Sequence, residues 1–391
     1  MYRLSKFLLS MLKIGCIGFG GGSALIPVIE KELIGKGKLD TSENYEKDIL
    51  IASLTPGALP VEIAASLGWR NFGWMGMVFG ALCMALPGAA ATLLLMTCLS
   101  SFRSQIGGIM GIVTIVVSLF IIWQILRYFQ KVCRQCLDIS DTFFRRAVLV
   151  MIGVFLLSCG KYLYRLLGID GKPPVVLSTL HILVTALTAI ILINIIRGMR
   201  NAHKKRRGKN VSTAVSSSVK DLFVWLIFLL LLSFPGMVAG YSFTPTACPS
   251  FLIRGCVSVL LSFGGGDAYL AVADGLFVES SMISSSVFYG DIAAVANILP
   301  GSILCKALTA IGYIVGISVT GHIPGGLAFA LTGFACSIAI SCLVFGIIFH
   351  LYERFSDFRS TQTISHYIGP IICGLLGTVI LALLVSVKEI L

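Results

Sequence analysis

The chain has 391 residues, of which 57% are hydrophobic and 12% charged, with a mean hydropathy of +0.94. Soluble domains carry about twice that share of charge, so most soluble enzyme folds and nucleic-acid-binding folds are excluded and a multi-pass membrane protein remains. The formal charge of +12 does not argue for nucleic acid, because eight basic residues (Arg197, Arg200, Lys204, Lys205, Arg206, Arg207, Lys209 and Lys220) share one loop, 197–220, that holds no acid. Beside membrane spans, such a cluster reads as a cytoplasmic anchor attracted to anionic lipid.

Lipid leaves helices or closed barrels as the only spanning structures. The apolar runs are long and continuous rather than alternating, so an all-α chain is expected. Eleven runs are read, at roughly 4–26, 47–69, 72–99, 106–130, 146–168, 174–197, 222–242, 248–276, 289–316, 324–350 and 366–390. Each is long enough to span. The first, second, eighth and ninth are suspect as simple spans, because Gly and Pro interrupt them. The N-terminus imitates a signal peptide, with Arg3 and Lys6 before an apolar stretch. Lys13 interrupts that stretch and opposes both cleavage and a lipoprotein site at Cys16.

If the N-terminus is cytoplasmic and every run crosses, 19 basic residues fall inside and 10 outside, and Lys306 is left in mid-membrane. The excess favours this orientation in a cell or inner membrane. Arg70 and Lys13 are then placed inside, and Lys31, Lys36, Lys38 and Lys47 outside.

A repeat at a gapless offset of 244 organises the chain. Phe19-Gly20-Gly21-Gly22 recurs as Phe263-Gly264-Gly265-Gly266, Pro56-Gly57 as Pro300-Gly301, and Gly68-Trp69 as Gly312-Tyr313. Between residues 19 and 69, 12 of 51 aligned positions are identical to 263–313. Seven runs precede the second copy, or five crossings if two are re-entrant. Both counts are odd, so the copies are expected to be inverted in topology. Inverted repeats with broken helices belong to secondary transporters, whose substrate site lies between the repeats near the midplane. The expected organisation is a first repeat with two extra helices over 1–197, a basic cytoplasmic linker over 198–221, and a linking helix with the second repeat over 222–391.

Three glycines in a row cost helix stability, about 1 kcal/mol each relative to Ala, and Pro-Gly removes a donor and ends a helix. One reading is close packing through small residues. The other is an unwound point in each repeat, where half-helix N-termini offer N–H groups to an anion. Glu62 follows Pro56 by six residues, and Lys306 follows Pro300 by six. Charges at membrane depth are costly and mark function. Lys306 suits an oxyanion and Glu62 a coupling proton, while a structural Glu62–Lys306 ion pair is the plainer reading. Asp267 and Asp291 are further candidates for ion coupling. No G-x-x-x-x-G-K-[ST] occurs, so no ATP-driven engine is encoded.

FGGGSALIPVIEKEL followed by TPGALPVEIAASLGW resembles the chromate transporter family, and SFGGGDAY with LPGSILCKALTAIGY is similar in the second copy. The likeness covers 15–130 and 255–390 in outline. It implies a polytopic inner-membrane protein that exports chromate, with sulfate as the close structural analogue. The family usually continues Pro-Gly-Pro, where this chain has Ala58 and Ser302.

Most of the twelve cysteines lie in apolar runs as small packing residues. Cys133 and Cys136 form one C-x-x-C without a second ligand pair, a weak metal signal. No metal-ligand spacing, nucleophile elbow or H-E-x-x-H is present, so neither a cofactor nor an enzyme is expected. The expected function is secondary transport of chromate or a sulfate-like oxyanion, with an oxyanion channel or a transporter of an unrelated small anion as the rivals. The substrate-binding set is Phe19, Gly20, Gly21, Gly22, Thr55, Pro56, Gly57, Glu62, Phe263, Gly264, Gly265, Gly266, Asp267, Pro300, Gly301 and Lys306. The expected partners are the anion, the lipid bilayer, a coupling proton or ion, and a second copy of the chain.

Overall fold

The computed structural model describes residues 4–18, 25–37, 39–160, 240–262, 266–354 and 359–390, with isolated positions at 163–164, 224, 227, 234 and 237–238. Among these the ordered elements are all helical. The first set is α1 (Leu4–Ile17), α2 (Ile26–Ile29) running on as a π-helical stretch (Glu30–Lys36), α3 (Ser42–Leu54), α4 (Leu59–Ile139) and α5 (Asp141–Ser158). The second is α6 (Ala247–Leu260), α7 (Gly266–Ala273) with a π-helical stretch (Asp274–Val278), α8 (Ser285–Val287), a third π stretch (Phe288–Ala293), and α9 (Ala294–Ile298). It ends with α10 (Ile303–Thr320), α11 (Ile323–Arg354) and α12 (Arg359–Ile390). The predicted run 174–197, the basic loop 197–220 and most of 222–242 lie outside the described residues.

The repeat is built into the element borders. Shifted by 244, α1 falls on α6, and the π stretch that starts at Glu30 falls on the one that starts at Asp274. In the same register α3 falls on Ser285–Ile298, and Leu59 falls on Ile303, where α4 and α10 begin.

Each interrupted run is packed as one arm or both arms of a short antiparallel hairpin. In the first, Gly18 sits against Leu25, and Lys13 pairs with Glu32 at 3.1 Å. In the second, Thr55 bonds Glu62 at 2.7 Å and Asp48 accepts from Ser66 at 3.0 Å, so α3 and the start of α4 are antiparallel. The later copies repeat this. The Ser258 and Tyr269 hydroxyls meet at 3.2 Å, Arg254 donates to the Leu276 carbonyl at 2.8 Å, and Lys306 donates to the Leu299 carbonyl. The expectation that Lys13 and Arg70 lie across the membrane from residues 31–47 is therefore corrected. Lys13 pairs with Glu32, and Arg70 pairs with Asp40 and Asp48. Hydropathy measures length and polarity, and a hairpin of two half-length helices has the same profile as one broken span.

After the second hairpin the chain turns at Gly73, inside α4, and returns along its own short arm, residues 59–72. The two arms touch through glycines. A Cβ on Gly68 would lie 2.1 Å from the Gly76 carbonyl oxygen, and one on Gly80 would lie 3.1 Å from that of Ala64. In the second copy, α10 and α11 meet the same way, with Gly312 against Phe329 and Gly333 against Leu308. Such small-residue contacts let apolar helices pack closely without a hydrophobic driving force. These contacts fix a second register: the returning helix matches at an offset of 253, since the α10–α11 hairpin is nine residues longer. The long arm of α4 runs on from 74 to 139, so the expected runs 72–99 and 106–130 join in one helix. Residues 99–106 (LSSFRSQI) hold neither Gly nor Pro to stop it.

The two copies are inverted. Helix α11 begins beside the end of α10, where Gly316 meets Gly325, and passes the tip of the first repeat's second hairpin at Ser341. Further along, its Phe349 ring lies 5.2 Å from the Lys47 ammonium, midway along α3 and away from the tip. The far end of α11 thus reaches the face from which the first repeat's hairpin enters, which is the face opposite its own hairpin.

The buried core is continuous across the repeats and includes Phe7, Met11, Tyr45, Tyr269, Phe277, Phe288, Tyr289, Tyr313 and Phe329. A small second cluster of Val132, Cys136, Ala147 and Cys373 ties α4 and α5 to α12, with Phe143 edge-on to Tyr367 at 4.9 Å.

Candidate functional site

Both Pro-Gly pairs stand at hairpin tips, between a helix that ends and one that begins. Thr55 and Leu299 are extended, the helical bond is lost at the proline, and Gly57 and Gly301 take φ of 145° and 97°, where a side chain would be strained. The backbone groups freed there bind across the repeats. Gly57 N–H donates to the Ser262 carbonyl at 2.9 Å, and Gly301 N–H donates to the Gly18 carbonyl at 2.8 Å. In the repeat numbering 57 matches 301 and 18 matches 262, so these are one contact made twice with the partners exchanged. A two-fold interface has this signature.

The returning helices complete the tips. Ser341 Oγ accepts from Ala58 N–H at 2.9 Å and donates to the Ser337 carbonyl at 2.6 Å. Gly88 occupies the matching position of the first repeat in the 253 register, and a Cβ there would lie 2.7 Å from the Pro300 carbonyl oxygen and 3.3 Å from Lys306 Cγ and Cδ. The lysine stem fits because position 88 has no side chain. Ser341, Gly88, Ser262 and Gly18 were not among the sequence-derived candidates. The signal for the first two lay in the 253 register, which a gapless 244 comparison misses.

Glu62 and Lys306 are both inside the protein, 0% and 1% exposed. Glu62 Oε2 accepts from the Thr55 hydroxyl, and Oε1 has no hydrogen-bond partner. Lys306 Nζ donates to the Leu299 carbonyl. Since 55 matches 299, each charged residue straps its own tip from the same repeat position. The expected Glu62–Lys306 ion pair is not formed. Ion pairs are formed elsewhere, by Lys13 with Glu32 and by Arg70 with Asp40 and Asp48.

Thus Thr55, Pro56, Gly57, Glu62, Pro300, Gly301 and Lys306 come together where the hairpin tips of the two repeats meet. Gly266 opens α7 and Asp267 follows it. Phe19, Gly20, Gly21, Gly22, Phe263, Gly264 and Gly265 lie outside the described residues, directly beyond Gly18 and Ser262, which make the reciprocal bonds. Asp291 is buried in the third π stretch, not at a helix end.

The electrostatics of the tips differ. Helix N-termini carry partial positive charge. At the start of α4, Glu62 offsets it. At the start of α10, Lys306 adds to it, a placement that costs energy unless an anion compensates. Positive potential is therefore concentrated at one tip, beside a carboxyl oxygen at the other that lacks a donor.

The family description "Chromate transporter" matches residues 5–169 and 249–390. A protein of Bacillus subtilis named "Uncharacterized transporter YwrB" is 30% identical over 114 residues, 29% of this chain and 58% of the relative. The "Probable chromate transport protein" of Synechococcus elongatus is 28% identical over 86 residues, 22% of each chain. The "Chromate transport protein" of Cupriavidus metallidurans is 28% identical over 86 residues, 22% of this chain and 21% of the relative. The chain thus matches just over half of the first relative and about a fifth of the other two. No solved structure matches.

Proposed function

This chain belongs to the chromate transporter family, a family of membrane transport proteins, and from that premise we propose that it is a secondary transporter of a small tetrahedral oxyanion, chromate or sulfate. The observation that carries the reading is Lys306, a buried ammonium at the positive end of α10 with only a carbonyl for a partner among the described residues. An ammonium has three donors, so two remain for an oxyanion. The anion binds where the tips meet, next to the N–H groups that open α10. Glu62, on the opposite tip, carries the coupling proton on its carboxyl group.

Inverted repeats supply the two states that alternating access needs. With the hairpins re-entrant, Lys31, Lys36, Lys38 and Lys47 share a face with the N-terminus. Arg3, Lys6, Lys13, Lys31, Lys36, Lys38, Lys47 and Arg70 then lie on one face, which supports a cytoplasmic N-terminus in the cell membrane, and the charge of the 197–220 loop supports a cytoplasmic place for it. The chain works as an exporter on this reading.

The test is uptake of labelled sulfate and of chromate into proteoliposomes, with and without an imposed pH gradient. Gradient-dependent accumulation is expected. Flux of either anion that never exceeds passive equilibration under any pH gradient identifies a channel instead. Absence of flux for both anions removes the oxyanion assignment.

A further inference from the structure

We propose that Arg70, Asp48 and Ser66 form a one-sided entry path for the proton that loads Glu62, with the Thr55 hydroxyl as the group that accommodates both protonation states. The inference rests on the reading of Glu62 as the proton carrier.

The residues share one face of the α3–α4 hairpin. On α4, Glu62, Ser66 and Arg70 are spaced i, i+4, i+8. On α3, Asp48, Ala52 and Thr55 are spaced i, i+4, i+7. Residues at these spacings stack on one side of a helix. Two rungs result. The inner one is Thr55 to Glu62 at 2.7 Å. The outer one is Ser66 to Asp48 at 3.0 Å, with Arg70 donating to Ser66 at 3.3 Å and paired with both Asp48 and Asp40. Exposure falls inward along the file, from 26% for the Arg70 side chain to 0% for Asp48 and for Glu62. The rungs are one helical turn apart, roughly 6 Å, a gap that a single bridging water spans. The small Ala52 lies between them.

Thr55 has one proton and two acceptors, the Ala52 carbonyl at 3.1 Å and Glu62 Oε2 at 2.7 Å. When Glu62 is ionised, the hydroxyl donates to the carboxylate. When Glu62 is protonated at Oε2, its O–H donates to Thr55 Oγ1, and the hydroxyl turns to Ala52. The O–H bond formed at Glu62 is matched by one broken at the bridging water, which takes a proton from the Asp48 carboxyl in turn, and no polar atom of the Thr55–Glu62 pair loses its partner in either state. A proton arriving from the Asp48 rung is accommodated by one rotation.

Other groups face these two carboxyls. Around Glu62 they are Thr55 from α3, Ser341 and the Cys342 thiol from α11, and the Cys305 thiol from α10. Around Asp48 they are Ser66 and Arg70 from α4, and Asp40 and Tyr45 on its own side of the hairpin. No second carboxyl stands beside Glu62 in this set.

The second repeat has none of this. At the positions of Asp48, Thr55, Ser66 and Arg70 it carries Ile292, Leu299, Ala310 and Ile314. Because the repeats are inverted, the polar file opens on one face only, the face shared with the first repeat's hairpins. Proton exchange with that face is direct. The other face has access only when the tips open toward it.

The test uses the reconstituted full chain and two measurements, pH-gradient-driven uptake of labelled sulfate or chromate, and counterflow of the same anion with no gradient. Asp48→Asn is expected to cut gradient-driven uptake about tenfold or more while counterflow stays within about twofold of wild type. Asp48→Asn leaves Arg70 with one partner, so Ser66→Ala, which keeps the ion pairs, is measured beside it and should show a smaller loss in the same direction. Wild-type coupling in both variants overturns the path, as does an equal loss of uptake and counterflow in folded protein. Glu62→Gln separates the two claims. If it stays proton-coupled, the carrier assignment fails. If it uncouples and the Asp48 and Ser66 variants do not, the carrier stands and the path fails.

Discussion

Replacing Lys306 by methionine should abolish oxyanion transport without unfolding the protein. The substitution keeps the unbranched stem that lies against Gly88 and removes the ammonium and its bond to the Leu299 carbonyl. Leaving that carbonyl without a donor costs about 1–3 kcal/mol. Removing a buried charge with no carboxylate partner returns several kcal/mol of desolvation. The two terms oppose, so yield and thermal stability of the purified variant should stay close to wild type. Binding has no such compensation. Hydrogen bonds to a charged group contribute about 1.5–3 kcal/mol each, and two donors are open. Their loss is about 3–6 kcal/mol, or roughly 10²- to 10⁴-fold in transport efficiency at 1.36 kcal/mol per decade. The assay is initial uptake of labelled anion into proteoliposomes at matched protein content. Uptake at the wild-type rate would mean that Lys306 only straps its own tip, and the anion site would have to be sought elsewhere.

Four further outcomes follow from the same geometry. Gly88→Ala places a methyl 2.7 Å from the Pro300 carbonyl oxygen and should lower stability by about 1–3 kcal/mol, measured by thermal unfolding in detergent, and suppress transport more than Gly153→Ala, whose Cβ would meet nothing within 4 Å. The charge swap Glu62→Lys with Lys306→Glu should not restore activity, because the two residues are not paired; recovery to near wild-type uptake would show that they pair in another state. Cysteines at Lys47 and Phe349 should be joined by a short bifunctional maleimide, since those side chains meet at 5.2 Å; absence of cross-linking in folded protein would contradict the inverted arrangement. A reporter fused near Lys205 should be active only in the cytoplasm, and activity on the outer face would reverse the orientation.

Much of the architecture could be read in the sequence because three motifs keep one register. FGGG, PG and the Gly-aromatic pair recur at 244 without a gap, and the helix borders at Leu59 and Ile303 follow them. The re-entrant hairpins were not legible, because hydropathy does not separate a broken span from two half-length arms. What decides the matter is pairing between distant charges, Lys13 with Glu32 and Arg70 with Asp48, which only the fold brings together. The role of Gly88 and Ser341 was hidden for a different reason. The nine-residue extension of the α10–α11 turn shifts their register to 253, so each looks like an ordinary small residue of an apolar helix until Gly68, Gly80, Gly312 and Gly333 align the hairpins. The opposite charges at 62 and 306 were visible as a matched pair, and their spacing invited an ion pair. The structure satisfies each within its own tip, through Thr55 and Leu299.

If the chain alternates as proposed, the two reciprocal bonds constrain how it does so. Gly57 to Ser262 and Gly301 to Gly18 are made at the same time, one at each tip. Each bond contributes on the order of 1 kcal/mol, and symmetry makes them near equals. If opening toward one face released one bond and kept the other, two states of opposite access would differ little in the backbone energy of the tips. What separates them is the side chains that break the symmetry, Glu62 against Lys306 and the polar Asp48–Ser66–Arg70 file against Ile292, Ala310 and Ile314. On the proposed reading, the repeats would supply a nearly balanced equilibrium, and the charged residues the bias that an anion and a proton could shift. A bias of 1.4 kcal/mol is a tenfold change in the population of the two states, within reach of one charge-assisted hydrogen bond at Lys306.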